Sequence, residues 1–132
     1  MEKILNFLKE NPTFYFATVE GDKPKVRPFG FFMERNGKLY FGMGNHKKSY
    51  KQLLKNPNVE ISTTNAKGEW IRISGVAVFD DSEETMTKAF ETMPGLKNIY
   101  NEETGLTLAN LYLKNGVAEI ADMQGNFESI KF

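Results

Sequence analysis

Lys25-Val26-Arg27-Pro28-Phe29-Gly30-Phe31-Phe32-Met33-Glu34-Arg35-Asn36-Gly37-Lys38-Leu39-Tyr40-Phe41-Gly42-Met43 is the stretch on which the fold turns. Lys25 to Met33 reads as one extended run, and Leu39 to Met43 as another that pairs back on it. The Asn36-Gly37 pair between them suits the positive φ angles of a tight hairpin. Upstream, Phe14 and Phe16 lie on one face of Thr13–Val19 and Tyr15, Ala17 and Val19 on the other, as in a strand covered on both sides. Glu20-Gly21-Asp22-Lys23-Pro24 is the turn that joins it to the next strand. Before it, Ile4, Leu5 and Leu8, with Phe7, recur at helical spacing and stop at Asn11-Pro12.

Downstream, Tyr50, Leu53 and Leu54 mark a short helix that ends at Asn56-Pro57. Val59–Thr64 and Trp70–Phe79 form a hairpin, the second strand alternating with Ile71, Ile73, Ala77 and Phe79 on one face. Asp81 and Glu84 have capping-box spacing, and Met86, Ala89, Phe90 and Met93 continue an apolar stripe up to Met93-Pro94-Gly95. The tail alternates over Leu106–Leu113, turns at Lys114-Asn115-Gly116 and continues through Val117–Ala121, with a further extended segment over Phe127–Phe132. Six or so strands joined mostly by hairpins, with helices at the ends and corners, predict a mainly β fold: a six-stranded antiparallel sheet closed as a barrel, in one domain over 1–132. A parallel dinucleotide fold is excluded, because Gly42-Met43-Gly44 lacks the rest of a G-x-G-x-x-G fingerprint and no P-loop is present.

Composition narrows the chemistry. The 132 residues carry 17 Lys and Arg against 17 Asp and Glu, so net charge is zero and a general attraction to nucleic acid or an anionic membrane is not expected. The absence of cysteine removes disulfides, thiolate metal sites and a cysteine nucleophile. No apolar run reaches the roughly 18 residues of a membrane span, and the N-terminus has no apolar signal core, so a cytoplasmic protein is the expectation. His46 is the only histidine, which leaves no zinc set and no serine–histidine–acid arrangement to argue for. The acidic run Asp80–Glu84 suits the start of a helix better than a catalytic carboxylate pair.

Two segments remain. Arg27 sits in an otherwise apolar strand, aimed by Pro28, and its guanidinium fork is suited to a phosphate; alone, it also fits an edge-strand arginine facing water. Asn45-His46-Lys47-Lys48-Ser49 precedes and opens a helix, where free N–H groups, two ammonium groups and a hydroxyl can converge on an anion; alone, it also fits a helix capped by Asn45 or Ser49 with solvated lysines. Together the two segments put one phosphate within reach of both.

Arg27-Pro28-Phe29, Tyr40–Ser49, Leu54-Lys55-Asn56-Pro57-Asn58-Val59 and Glu69-Trp70-Ile71-Arg72-Ile73-Ser74-Gly75, in that order, resemble the pyridoxamine 5′-phosphate oxidase-like family of flavin-binding split barrels. The resemblance is to its compact members, associated with flavin reduction or nitroimidazole resistance. It implies a split β-barrel, a homodimer and FMN between the subunits. By that likeness Arg27, Lys48 and Ser49 take the FMN phosphate with Lys47 nearby. Pro28 and Phe29 present backbone to the isoalloxazine ring, Asn45 lies close to the ribityl chain, and Trp70 approaches from the partner subunit. The chain lacks recognisable pyridoxal-binding residues near Phe127–Phe132, which argues against the namesake reaction. The expectation is an FMN-dependent oxidoreductase acting on a small molecule, with NADH or NADPH as a possible donor; the flavin carries the chemistry, so no protein catalytic residue and no metal are required. The alternative is a barrel that binds, stores or senses flavin, or haem, without turnover.

Overall fold

The structure, a computed structural model, describes residues 1–132. In chain order the elements are α1 (Glu2–Glu10), β1 (Phe14–Glu20), β2 (Lys23–Phe29), β3 (Phe32–Arg35), β4 (Lys38–Gly44), α2 (Lys48–Lys55), β5 (Asn58–Thr64), β6 (Trp70–Phe79), α3 (Glu83–Thr92), a 3-10 helix (Pro94–Asn98), β7 (Leu108–Ala121) and β8 (Phe127–Lys131). All strand pairs are antiparallel, in the order β2-β1-β5-β6-β7-β4-β3, with β8 added on β7.

Along that ladder β1 and β4 are four steps apart, which in a flat sheet is roughly 19 Å. Yet the Phe41 ring lies 5.5 Å from Phe14 and 5.7 Å from Phe16, centroid to centroid. The sheet is therefore curled into a barrel around its own side chains. Phe14, Phe16, Leu39, Phe41, Ile61, Ile71, Ile73 and Leu111 are fully buried inside it, and α1 adds Ile4, Phe7 and Leu8 to the same core. The two ends of the ladder, β2 and β3, are consecutive in the chain but do not pair, so the barrel is split there. A second, smaller core lies outside the barrel, where α3 and the 3-10 helix place Ala89 and Leu96 against Phe31, Met33, Tyr40 and Leu108.

Eight strands form where six were expected, and two local features account for the difference in layout. Lys25–Met33 is not one strand: Gly30 and Phe31 interrupt it, β2 pairs with β1, and β3 pairs with β4. The alternation in this run survives a break because the strands on either side serve two different neighbours. Conversely, Lys114-Asn115-Gly116 is not a turn. Ser74 faces Val117 and Val76 faces Lys114, so Asn115 and Gly116 oppose Gly75 alone and the one extra residue is absorbed as a bulge in one 14-residue strand, with Asn115 at φ 55°. Gly116 is pinned there by reciprocal backbone bonds to Phe132, whose ring occupies the space a Cβ would take. The Asn36-Gly37 hairpin forms as read, with both residues at positive φ. No helix is long and apolar enough to cross a membrane.

Candidate functional site

β2 pairs only with β1, and its prolines at 24 and 28 are tolerated because its other edge is unpaired. Arg27 stands opposite Phe16, so it shares the inward face of the sheet with Phe16 and Thr18 rather than facing water. Phe29, on the same face, stacks on Phe16 at 4.6 Å.

The Arg27 guanidinium is half-buried and held by neutral groups alone. Nη1 donates to the Phe16 carbonyl (3.1 Å) and to Thr18 Oγ1 (2.8 Å), and Nη2 donates to Gln52 Oε1 (3.1 Å). Thr18 Oγ1 donates in turn to the same Gln52 oxygen at 2.5 Å. Three of the five donors are thus used for positioning, and two are left. No carboxylate pairs with the guanidinium; the ion pairs in the molecule are Lys3–Glu128 and Lys23–Asp22. Burial lowers the Arg27 pKa. A cation fixed by dipoles and left without a counter-charge is a half-built anion site.

The other half comes from α2. Its N-cap is Lys47, no side chain caps it, and its first turn holds no acid. Neither Asn45 nor Ser49 caps the helix, contrary to one sequence reading. Lys47 and Lys48 therefore sit at the positive end of the helix dipole, an arrangement that costs stability unless an anion is bound. Ser49, in the first turn, is 6% exposed.

These parts line one cavity of about 690 Å3, of ordinary size for a small-ligand or cofactor site. Arg27, Pro28, Phe29, Lys47, Lys48 and Ser49 all line it, and its fifteen lining residues include three cations and no acid. Gly42-Met43-Gly44 of β4 also line it, and Gly44 is packed too closely for a side chain, since a Cβ there would fall 2.5 Å from the His46 ring. Asn45 and Trp70 do not line it. Asn45 is exposed in the turn before α2, its N–H bound to the Thr107 carbonyl, and Trp70 opens β6 between Thr64 and Ala121.

The far wall was not read from the sequence. Met93, Leu96, Ile99 and Tyr100 supply it from the 3-10 helix and its flanks. Met93, Leu96 and Ile99 recur every third residue, the period of a 3-10 helix, and that spacing was the available signal behind Pro94. Burial raises the Tyr100 pKa, so its phenol stays neutral over an extended range.

That wall is moored by Asp80 rather than by the expected Asp81–Glu84 box. Ser82 is the N-cap of α3, its Oγ accepting from Thr85 N–H, while the Asp80 carboxylate accepts from Ser82 N–H (3.0 Å), Thr85 Oγ1 (2.6 Å) and Tyr40 Oη (2.7 Å). Burial alone would raise the Asp80 pKa, but these donors together hold it well below the usual carboxylate range. A carboxylate depressed on folding stabilises the fold above its unfolded pKa, near 4, and that contribution is lost as pH falls through the folded value. Asp80→Asn is expected to lower stability at neutral pH by about 1–3 kcal/mol, with a lower melting temperature, and the difference between the two proteins should begin to shrink only below about pH 4 and go on shrinking as the pH falls further. Thermal melts across that range check it; parallel curves at every pH would refute it.

The family described as pyridoxamine 5′-phosphate oxidase matches residues 1–125. No curated protein matches the chain significantly. Among solved structures, a NimC/NimA family protein from Clostridium acetobutylicum is 45% identical, covering 100% of this chain and 92% of that one, with a TM-score of 0.92. A pyridoxamine 5′-phosphate oxidase-related, FMN-binding protein from Nostoc punctiforme shares the fold at 17% identity and a TM-score of 0.61, covering 99% of this chain and 95% of that one. A FAD-binding protein from Mesorhizobium loti does so at 13% identity and 0.63, covering 92% and 94%. With the family match spanning nearly all of the sequence and a NimC/NimA protein so similar over its full length, this split barrel belongs to the pyridoxamine 5′-phosphate oxidase-like family, alongside NimC/NimA proteins.

Proposed function

We propose that this protein is an FMN-dependent oxidoreductase that passes hydride or electrons to a small acceptor, with a reduced nicotinamide as donor. The observation that carries the reading is the Arg27 guanidinium, oriented by three neutral acceptors and lacking a counter-charge, in one acid-free cavity with the uncapped start of α2. The donor set fits a phosphate monoester: two spare guanidinium donors, the ammonium groups of Lys47 and Lys48, the Ser49 hydroxyl and the first amides of the helix. Pro28, Phe29 and the Gly42-Met43-Gly44 stretch line the same cavity as these donors, where the flavin ring would lie.

When bound, FMN supplies the two-electron chemistry at its ring. The chain's task is then to bind, orient and exclude water. Arg27 and Lys48 would offset the phosphate charge and Ser49 would donate a hydrogen bond to it, while Met93, Leu96 and Ile99 supply apolar lining that excludes water. Tyr100 offers a neutral hydroxyl donor for a polar group in the cavity.

The protein is proposed to act as a homodimer in the cytoplasm, with FMN shared between subunits and the partner subunit's Trp70 closing the site. Supporting this is an exposed apolar patch on the outer face of β1 and β2, where Tyr15 is 50% and Val26 66% exposed beside Pro28. The test is a visible spectrum of the purified protein and its titration with FMN. Yellow protein, or stoichiometric uptake of FMN, followed by bleaching with NADH or NADPH and reoxidation by nitro compounds or quinones, is expected. Colourless protein that ignores FMN would overturn the assignment. Flavin held tightly but never turned over would make the protein a flavin binder instead.

A further inference from the structure

Tyr40, Gly42 and Gly44 of β4 face Tyr112, Asn110 and Leu108 of β7, in that order. Tyr40 and Leu108 belong to the smaller core outside the barrel, so Gly42 and Asn110 share its face of the sheet. Asn110 is 3% exposed, and its Nδ2 donates to Met86 Sδ of α3 at 3.7 Å. Its Oδ1 accepts nothing, and no other buried side-chain nitrogen or oxygen in the molecule lacks a partner. A buried acceptor left unpaired is costly, so one that persists needs a reason outside folding.

The surroundings of that oxygen supply one. A Cβ on Gly42 would fall 3.0 Å from Leu108 Cδ1, 3.2 Å from Phe31 Cδ2 and 3.3 Å from Asn110 Oδ1, so the three side chains converge over a residue that has none. Gly42 and Phe31 line the cavity of about 690 Å3; Asn110 does not, and its oxygen stands beside the lining, covered. Leu108 and Asn110 are fixed in β7 by pairing with β4, whereas Phe31 lies in the break between β2 and β3, where no strand neighbour holds its backbone. Phe31 is thus the part of the cover that can give. Arg27 is on the inward face of the sheet and Asn110 on the outward one, so the oxygen is no part of the phosphate site.

We infer that Asn110 determines which small acceptors the protein takes: an O–H or N–H on the acceptor turns the Phe31 ring edge aside and donates to Asn110 Oδ1. The inference rests on the flavin reading above and goes beyond it, because it names a required feature of the substrate, a neutral hydrogen-bond donor.

The test uses FMN-loaded protein, oxidised and without an electron donor, titrated with para-nitrobenzyl alcohol and with its methyl ether while the flavin absorbance is followed. The two probes differ in the O–H that one of them lacks. Wild-type protein is expected to bind the alcohol about tenfold or more tightly than the ether. In Asn110→Leu, of similar size but without the acceptor, that preference should shrink to within about twofold and FMN affinity should stay within about twofold. The melting temperature should hold or rise, since the substitution removes an unpaired polar atom from the interior. Equal binding of the two probes by wild-type protein would overturn the inference, as would a preference that survives in Asn110→Leu. A variant that loses FMN would place the donor on the flavin, and one that melts well below the wild type would give the amide a structural role; either result overturns it too. Protein that takes up no FMN at all would instead remove the flavin reading beneath it.

Discussion

Phe41→Ala is expected to cost about 3–5 kcal/mol of folding stability, the largest effect of any single substitution considered for this protein. Phe41 is fully buried on β4, and its ring meets Phe14 and Phe16 edge-on from across the barrel. Those two contacts join strands that share no backbone hydrogen bond, so the ring closes the barrel in a way the ladder cannot. Its removal leaves a cavity where three aromatic groups converge, and the flanking strands are held in place by their own pairing and cannot collapse to fill it. Chemical denaturation should show the midpoint falling sharply with little change in slope. A loss of about 1 kcal/mol or less would mean that the barrel is not held by this cluster.

Arg27→Ala is expected to raise the FMN dissociation constant roughly 100-fold, equivalent to about 3 kcal/mol, the scale of a charge-assisted contact removed from a half-buried site. The fold should tolerate the change. Thr18 and Gln52 keep the hydrogen bond they make to each other, and the substitution takes away a desolvated charge with no partner. Arg27→Lys should recover only part of the affinity, because one ammonium cannot bond Phe16, Thr18 and Gln52 and still present a planar fork to the ligand. Equilibrium titration by flavin fluorescence, with a thermal melt as a folding control, distinguishes the outcomes. FMN bound by the alanine variant as tightly as by the wild type would show that the phosphate is held elsewhere.

Much of the fold was legible because short-range rules dominate it. The alternation of Ile71, Ile73 and Ala77 marked the buried face of a strand, and Asn36-Gly37 marked a turn that needs positive φ twice over. What failed were the places where local patterning is ambiguous about partners. An apolar run such as Lys25–Met33 looks the same whether it serves one neighbour or two, and Asn115-Gly116 looks the same in a hairpin and in a bulge, since both put a residue at positive φ. Asp81 and Glu84 had the spacing of a capping box, but Asp80 is the residue within reach of Tyr40, which lies forty positions away in the chain.

The site divides in the same way. Arg27 and Lys47-Lys48-Ser49 stood out from the sequence alone because a cation in an apolar strand and lysines at a helix start each violate a local preference, and such violations are visible without coordinates. Residue order thus determined the barrel, its hairpins and the cationic character of the residues proposed to hold a phosphate. Only the tertiary structure decided that Arg27 faces inward onto Thr18 and Gln52, that a 3-10 segment walls the cavity, and that Lys48, Lys51 and Lys55 line a second hollow. Each of these depends on how the sheet curls, and curling brings together residues from β1, β2, β4 and α2 through contacts that no local pattern encodes.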